Sequence, residues 1–254
     1  MRRAFLLTVL LVVSAGLSGV APAATHSPAR SSCKVAPKNG WTVCPHANLT
    51  GRNLVQADLR NADLAGANLT GAKLTQANPA TANLARAKLP GARLDNANLA
   101  FASLAGAAAT GVNLSRATLN GANLAHANLS RANLSRANLV GASLVDANLA
   151  HANLALANLA GANLEGANLT GANLNTAALV GTNFSHANLA RATLTNATLS
   201  GAYLIGADLS GASLLGVTVM GADLSKAKLA GAKLGNTAWY GSICPNGRKT
   251  KTRC

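Results

Sequence analysis

The sequence predicts an all-β solenoid, and three observations carry that reading. Leucine recurs at every fifth residue from Leu49 to Leu99 apart from Pro79, and the same register continues past Ala109 to Leu234. A small residue, usually alanine, stands two places before nearly every one of these leucines, as at Ala67 and Ala72. Glycine recurs two places after it, as at Gly66, Gly71, Gly121 and Gly161. On an α-helix a five-residue step advances the chain by about 140° net, which scatters the leucines around every side. In extended chain, residues i−2 and i point the same way, so Ala67 and Leu69 share an interior. Glycine at the second residue after leucine tolerates positive φ and supplies a bend. Four units turning by about a right angle each close one coil of twenty residues, and coils stack at about 4.8 Å.

Residues 1–23 read as a signal peptide. Arg2 and Arg3 precede an apolar run from Phe5 to Val20, and Ala21-Pro22-Ala23 supplies a small-residue cleavage pattern, with cleavage expected after Ala23. The run is short for a membrane span, and the rest of the chain offers no other candidate. Export to a secreted or extracytoplasmic location is therefore expected. Residues 24–46 form an N-terminal linker and cap that includes Trp41.

Residues 47–236 are the repeat domain. Units such as Ala162-Asn163-Leu164-Glu165-Gly166 and Ala207-Asp208-Leu209-Ser210-Gly211 resemble those of the pentapeptide-repeat family over about three quarters of the chain. The resemblance implies a right-handed quadrilateral β-helix with the central leucine and the preceding small residue inward. Of thirty-eight central positions from Leu49 to Leu234, thirty-four are leucine. This gives about nine to ten coils and a rod of about 45 Å. Stacked leucines fill the interior without aromatic residues. Pro79 cannot donate to the ladder and Ala109 underfills its column, so both places are expected to be loose. Phe184 and Val219 keep the inward register, and Arg52 in a small-residue slot marks an imperfect first coil.

Residues 237–254 form a C-terminal cap and basic tail. Trp239 and Tyr240 are expected to act as lids over the open end, as Trp41 does at the other. Four cysteines permit three pairings. A straight rod holds its ends far beyond the roughly 7 Å Cα limit for a disulfide, leaving Cys33 with Cys44 and Cys244 with Cys254. Export favours disulfides over zinc.

The chain carries a formal charge of +15, and removal of Arg2 and Arg3 with residues 1–23 leaves +13. Twenty-residue coils place Arg52, Lys73, Arg93, Arg116, Arg136 and Lys233 on one side with Asp95 as its acidic residue, and Arg131 and Arg191 on the adjoining corner. Such a side attracts an anionic polymer, and export points to one of the cell envelope. The plainer account is that these charges keep an apolar-rich rod soluble, since residues 137–190 contain no lysine or arginine. A protein partner bound by a face or terminus is the alternative function. No aromatic side chains interleave with the basic side to stack bases, which argues against specific nucleic-acid binding.

Protection of DNA gyrase by duplex mimicry, an activity known in the resembled family, needs a negative surface, and the charge here has the wrong sign. Hydrolysis also reads poorly. His46, His126 and His186 share a corner column but stand four and three coils apart, about 19 and 14 Å, too far to share a metal. Asp146 follows His126 by one coil without a positioned nucleophile. The Asn-Leu-Ser triplet at Asn128-Leu129-Ser130 matches a glycosylation sequon that the repeat itself generates. An ice-binding threonine ladder is missing, since the relevant row mixes Asn53, Lys73, Arg93, Asn113 and Asn133. The reading is a monomeric, non-enzymatic structural or binding scaffold with no catalytic, metal or cofactor residues and no cofactor.

Overall fold

The computed structural model describes residues 34–35, 42–250 and 254. The signal-peptide reading of residues 1–23, the Trp41 lid and Cys33 fall outside them. Strand β1 (Lys34–Val35) pairs antiparallel with β2 (Thr42–Val43), with Lys34 opposite Val43 and Val35 opposite Thr42.

From Cys44 onward the chain winds as a β-helix in which rungs pair through single residues. Each bridging residue is the one before a central leucine, and its partner lies twenty positions on: Asn48 pairs with Asn68, Asn68 with Lys88, and Ser143 with Asn163, all parallel. Twenty divided by the five-residue unit gives four units per turn.

The unit around Leu144 shows how the pattern closes. Leu144 N–H donates to Asn163 O at 2.6 Å, Asp146 N–H to Glu165 O at 2.9 Å, and Asn148 N–H back to Ala127 O at 2.9 Å. Ala147 N–H donates to Leu144 O at 3.0 Å, which closes a four-residue turn. Its third residue, Asp146, has φ 53°, the type II geometry that favours glycine. Glycine fills this position at many corners, but histidine, arginine, asparagine and even Phe101 and Leu156 adopt it too. The hydrogen-bonded rungs above and below therefore hold non-glycine residues in a conformation costing about 1–2 kcal/mol each.

Corners also communicate along the rod. A Cβ at Gly121 would come within 2.5 Å of the Phe101 ring, and one at Gly171 within 2.8 Å of His151. A bulky corner side chain thus leans over the corner twenty residues later, where glycine leaves it room.

The core is the inward double row. Ala142, Leu144, Ala147 and Leu149 are buried, as are their counterparts through most of the rod. Phe184 and Val219 are fully buried in the central register, as the periodicity requires. Arg52 is only half-buried in a slot that alanine usually fills. Where hydroxyl residues take the small slot, they bond backbone. Thr182 Oγ1 donates to Leu159 O at 2.8 Å, Thr237 Oγ1 to Leu214 O at 2.9 Å, and Ser242 Oγ to Val219 O. A buried hydroxyl is thereby satisfied at no cost to the ladder.

The two expected defects differ. At Pro79 one rung is missing: Asn78 and Asn98 form no bridge, although Asn98 N–H still donates to Ala77 O at 2.9 Å. Asn78 Oδ1 is buried with no partner. At Ala109 the ladder runs through, with Ala109 N–H on Asn128 O at 2.8 Å, and Val112 fills the next inward slot in place of alanine. Of the two places, the backbone ladder is interrupted only at Pro79. Pro79→Leu is expected to raise unfolding free energy by about 1–2 kcal/mol, from one regained hydrogen bond and a filled column. Equilibrium urea denaturation checks it.

The five-residue pattern continues beyond Leu234. Trp239 takes the central position, buried above Val219, and Cys244 takes the next. Cys244 is joined to Cys254, with Cα atoms 5.3 Å apart, so this expected disulfide is present. Cys44 is also disulfide-bonded. Tyr240 does not act as a lid: it follows the central Trp239, points away from the interior and is 62 % exposed. After Cys244 the chain turns back, and Ile243 pairs antiparallel with Lys249. Among the described residues, no helix is long and apolar enough to cross a membrane.

Candidate functional site: a basic side on an asparagine ladder

The basic side is built on one row of bridging residues. Lys73 pairs with Arg93, Arg93 with Asn113, and the row continues through Asn133, Asn153 and Asn173 to Thr193, Ser213 and Lys233. Arg116 and Arg136 stand on the corner beside this row, one coil apart, with φ of 57° and 59°. Four cations, Lys73, Arg93, Arg116 and Arg136, therefore occupy four successive coils spanning about 14 Å. All four are exposed. Arg131 stands on the other corner of the same wall.

The remaining sequence candidates sit apart. Arg52 flanks the row at its N-terminal end but is half-buried. Lys233 occupies the right row five coils beyond Asn133, about 24 Å away, and belongs to the C-terminal tip rather than to this group.

Ion pairing separates these cations from Arg60, but not from Arg86, Lys88 or Arg191, which among the described residues also lack an ion pair. Arg60 is neutralised by a two-point contact with Asp58, at 2.8 and 2.6 Å, which raises the guanidinium pKa through hydrogen bonding first and charge attraction second. Arg93 has a looser pairing, 3.6 Å from the Asp95 carboxylate. That carboxylate also accepts from Thr75 Oγ1 at 3.0 Å and Asn113 Nδ2 at 3.3 Å. Among the described residues, Lys73, Arg116, Arg131 and Arg136 have no carboxylate within ion-pair distance.

The asparagines between them are a feature that sequence reasoning treated only as neutral surface. Each does two jobs. The Oδ1 atoms of Asn113, Asn133, Asn153 and Asn173 accept the N–H two residues on, at 3.1–3.2 Å, which caps the following turn. The amides also link coil to coil: Asn133 Nδ2 donates to Asn113 Oδ1 at 3.3 Å, and Asn173 Nδ2 to Asn153 Oδ1 at 3.2 Å. The signal was present as asparagine before leucine at twenty-residue intervals. Asn153→Ala removes the turn cap and a rung of this side-chain ladder, and a loss of about 1 kcal/mol in urea denaturation is expected.

The histidine column does not assemble. His126 Nδ1 is 3.8 Å from Asp146 Oδ2, and both side chains are more than half exposed. His46 and His186 stand on the same corner in other coils. Among the described residues, no three histidine, cysteine, aspartate or glutamate side chains come together as a metal site.

A solenoid of four five-residue units per turn, with leucine inward and asparagine or aspartate capping each turn, defines a class of repeat protein. Residues 46–78, 82–116, 113–149, 142–177, 177–216 and 202–238 match the model of pentapeptide repeats, in eight copies. The chain belongs to the pentapeptide-repeat family. Among solved structures it is similar to HetL, involved in heterocyst differentiation regulation in Nostoc sp. strain PCC 7120. Identity is 36 %, with 82 % of this chain and 91 % of HetL covered and a TM-score of 0.47. It is similar also to QnrB1, a plasmid-mediated fluoroquinolone resistance protein, at 22 % identity over 64 % of this chain and 86 % of QnrB1, with a TM-score of 0.53. A pentapeptide repeat protein of the Arabidopsis thaliana thylakoid lumen is 32 % identical over 48 % of this chain and 67 % of its own, with a TM-score of 0.28. No curated protein matches the sequence.

Proposed function

We propose that this protein is an exported, non-enzymatic binding scaffold whose basic side contacts an anionic polymer of the cell envelope. The observation that carries this reading is the group Lys73, Arg93, Arg116 and Arg136, held at coil spacing on a hydrogen-bonded wall with one loose carboxylate among them. A polyanion meeting such a row exchanges its counterions for fixed charges, and a rigid platform loses little entropy on binding. Export is supported by Arg2-Arg3, the apolar run and Ala21-Pro22-Ala23, and by the Cys244–Cys254 disulfide, which suits an oxidising compartment. The likeness to QnrB1 supplies the fold alone, and the net charge of +15 opposes mimicry of a polyanion.

The test is co-sedimentation with purified cell walls across a salt series. Bound protein should fall steeply as salt rises, and Arg93→Glu, Arg116→Glu and Arg136→Glu together should weaken binding by at least about tenfold while circular dichroism stays unchanged. Salt-insensitive sedimentation, or full binding by the triple variant, would remove the reading.

A further inference from the structure

The C-terminal coil is finished along only part of its perimeter. On the wall of Leu224 and Cys244 and at the corners beside it the end of the chain supplies partners: Leu224 N–H donates to Ile243 O at 2.9 Å, Lys226 N–H to Pro245 O at 2.9 Å, and Gly241 N–H to Thr250 O at 2.9 Å. Among the described residues the Trp239 N–H has no backbone partner, and the two walls before Trp239, half of the coil, are open as well. One coil below, the N–H groups of Leu209, Gly211 and Leu214 each donate to the next rung at 2.8 Å, while the carbonyls of Ala207 and Ala212 each accept from it at 2.9 Å. Their counterparts are the N–H groups of Leu229, Gly231 and Leu234 and the carbonyls of Ala227 and Ala232. Among the described residues these have no partner. Leu229, Ala232 and Leu234, which lie inward one coil below as buried Leu209, Ala212 and Leu214, are only partly covered.

The edge borders a recess of about 610 Å³ lined by Ala227, Leu229, Ala230, Arg248, Lys249 and the Cys244–Cys254 disulfide, among others. Arg248 and Lys249 belong to this lining, Lys226 and Lys228 flank Ala227 in the chain, and Lys233 stands on the next wall; all five are exposed. The nearest acidic residues on these walls lie a coil lower: Asp208 beneath Lys228 and Asp223 beneath Ile243. Ser210 holds the Asp208 carboxyl below its usual pKa, chiefly by its hydroxyl and then by its N–H, and Lys228 adds to that lowering. Lys228 thus adds charge attraction, as the smallest contribution, to a carboxylate that Ser210 chiefly stabilises.

We propose that this open half-coil is a docking site for an extended peptide with the register small–acidic–aliphatic, which adds as the next rung. Its backbone takes up the free N–H and carbonyl groups, as strand addition to a sheet edge does. Its aliphatic residues continue the columns that stop at Leu229 and Leu234. Its acidic residues fall directly over Lys228 and Lys233, because bridging residues stack one above another. Charge selects this occupant over a second copy packed tip to tip, which would press two sets of five cations together. The site is separate from the basic side around Arg93 and Arg116, and the inference does not depend on polymer binding.

The experiment uses the full chain and a fluorescein-labelled peptide, Ala-Asp-Leu-Ser-Gly-Ala-Asp-Leu-Ser-Gly, in fluorescence anisotropy, with a second peptide carrying lysine for both aspartates. Saturable binding of the acidic peptide is expected, with at least about tenfold weaker binding of the lysine peptide. Lys228→Glu with Lys233→Glu should invert that preference, and hydrogen exchange at Leu229, Gly231 and Leu234 should slow when peptide is bound. These lysines are exposed, so the variant keeps its fold. Absence of saturable binding, a preference unchanged by the double substitution, or unaltered exchange at those amides would overturn the proposal, as would sedimentation showing the tip occupied by another copy of the chain.

Discussion

Leu144→Ala is expected to lower the free energy of unfolding by about 2–5 kcal/mol, measured by urea denaturation. Leu144 is 0 % exposed and stands between Leu124 and Leu164 in one column. The size of the effect depends on how far the surroundings can close over the lost methyl groups. Here they can close little, because the coil separation is fixed by backbone bonds of 2.6–3.0 Å on every wall around the site. The cavity therefore persists, and the upper half of the range is expected. The same substitution at Leu234 should cost much less, since that side chain is only partly buried at the open end. Equal losses at the two positions would contradict the column description.

Cys254→Ser should destabilise the C-terminal cap by about 2–3 kcal/mol in the chain-entropy picture of a loop of this length, and should leave the central coils as they were. The bridge ties Cys244, the last inward residue of its column, to a segment that also pairs antiparallel, Ile243 with Lys249, and exchanges backbone hydrogen bonds with Lys226, Gly241, Ser242 and Cys244. Hydrogen exchange is the appropriate measurement, because a solenoid opens from its ends and a global melt reports mainly its middle. Faster exchange should appear at Gly241, Cys244 and Thr250. Exchange at Leu144 or Leu164 should not change. If the central amides also accelerate, the cap is more strongly coupled to the rod than nearest-neighbour stacking allows.

The leucine period and the alanine two places before it made the inward rows legible, because a five-residue repeat has one economical way to bury both. The corner glycines made the positive-φ position legible, and that same register carried Phe184 and Val219 into the core. What escaped was the work of polar side chains between rungs. Asparagine before leucine reads as neutral surface until the twenty-residue neighbour is placed beside it, and only then do Asn133 and Asn113 become bonded partners. The terminal placement of Tyr240 predicts a lid, because aromatic residues at a terminus often cover an open core. Its position directly after the central Trp239 turns it to solvent instead. On the basic side, the row through Lys73 and Arg93 and the corner with Arg116 and Arg136 followed from counting. Lys233 shares their row by the same count, but counting columns says nothing about distance along the axis, which places it with the tip.

Rungs that repeat every twenty residues have a consequence for how such a chain can change length. Excision of one full turn, such as residues 137–156, would rejoin every column to its own kind and yield a shorter rod with the same four walls. Excision of a single five-residue unit would leave the interior equally well filled, yet would rotate all that follows by a quarter turn, carrying Lys233 to a different wall from Arg93. Interior packing is indifferent to which wall a unit occupies, while the pattern of charge outside is not, so the spacing between cations records a phase that the hydrophobic columns themselves do not enforce.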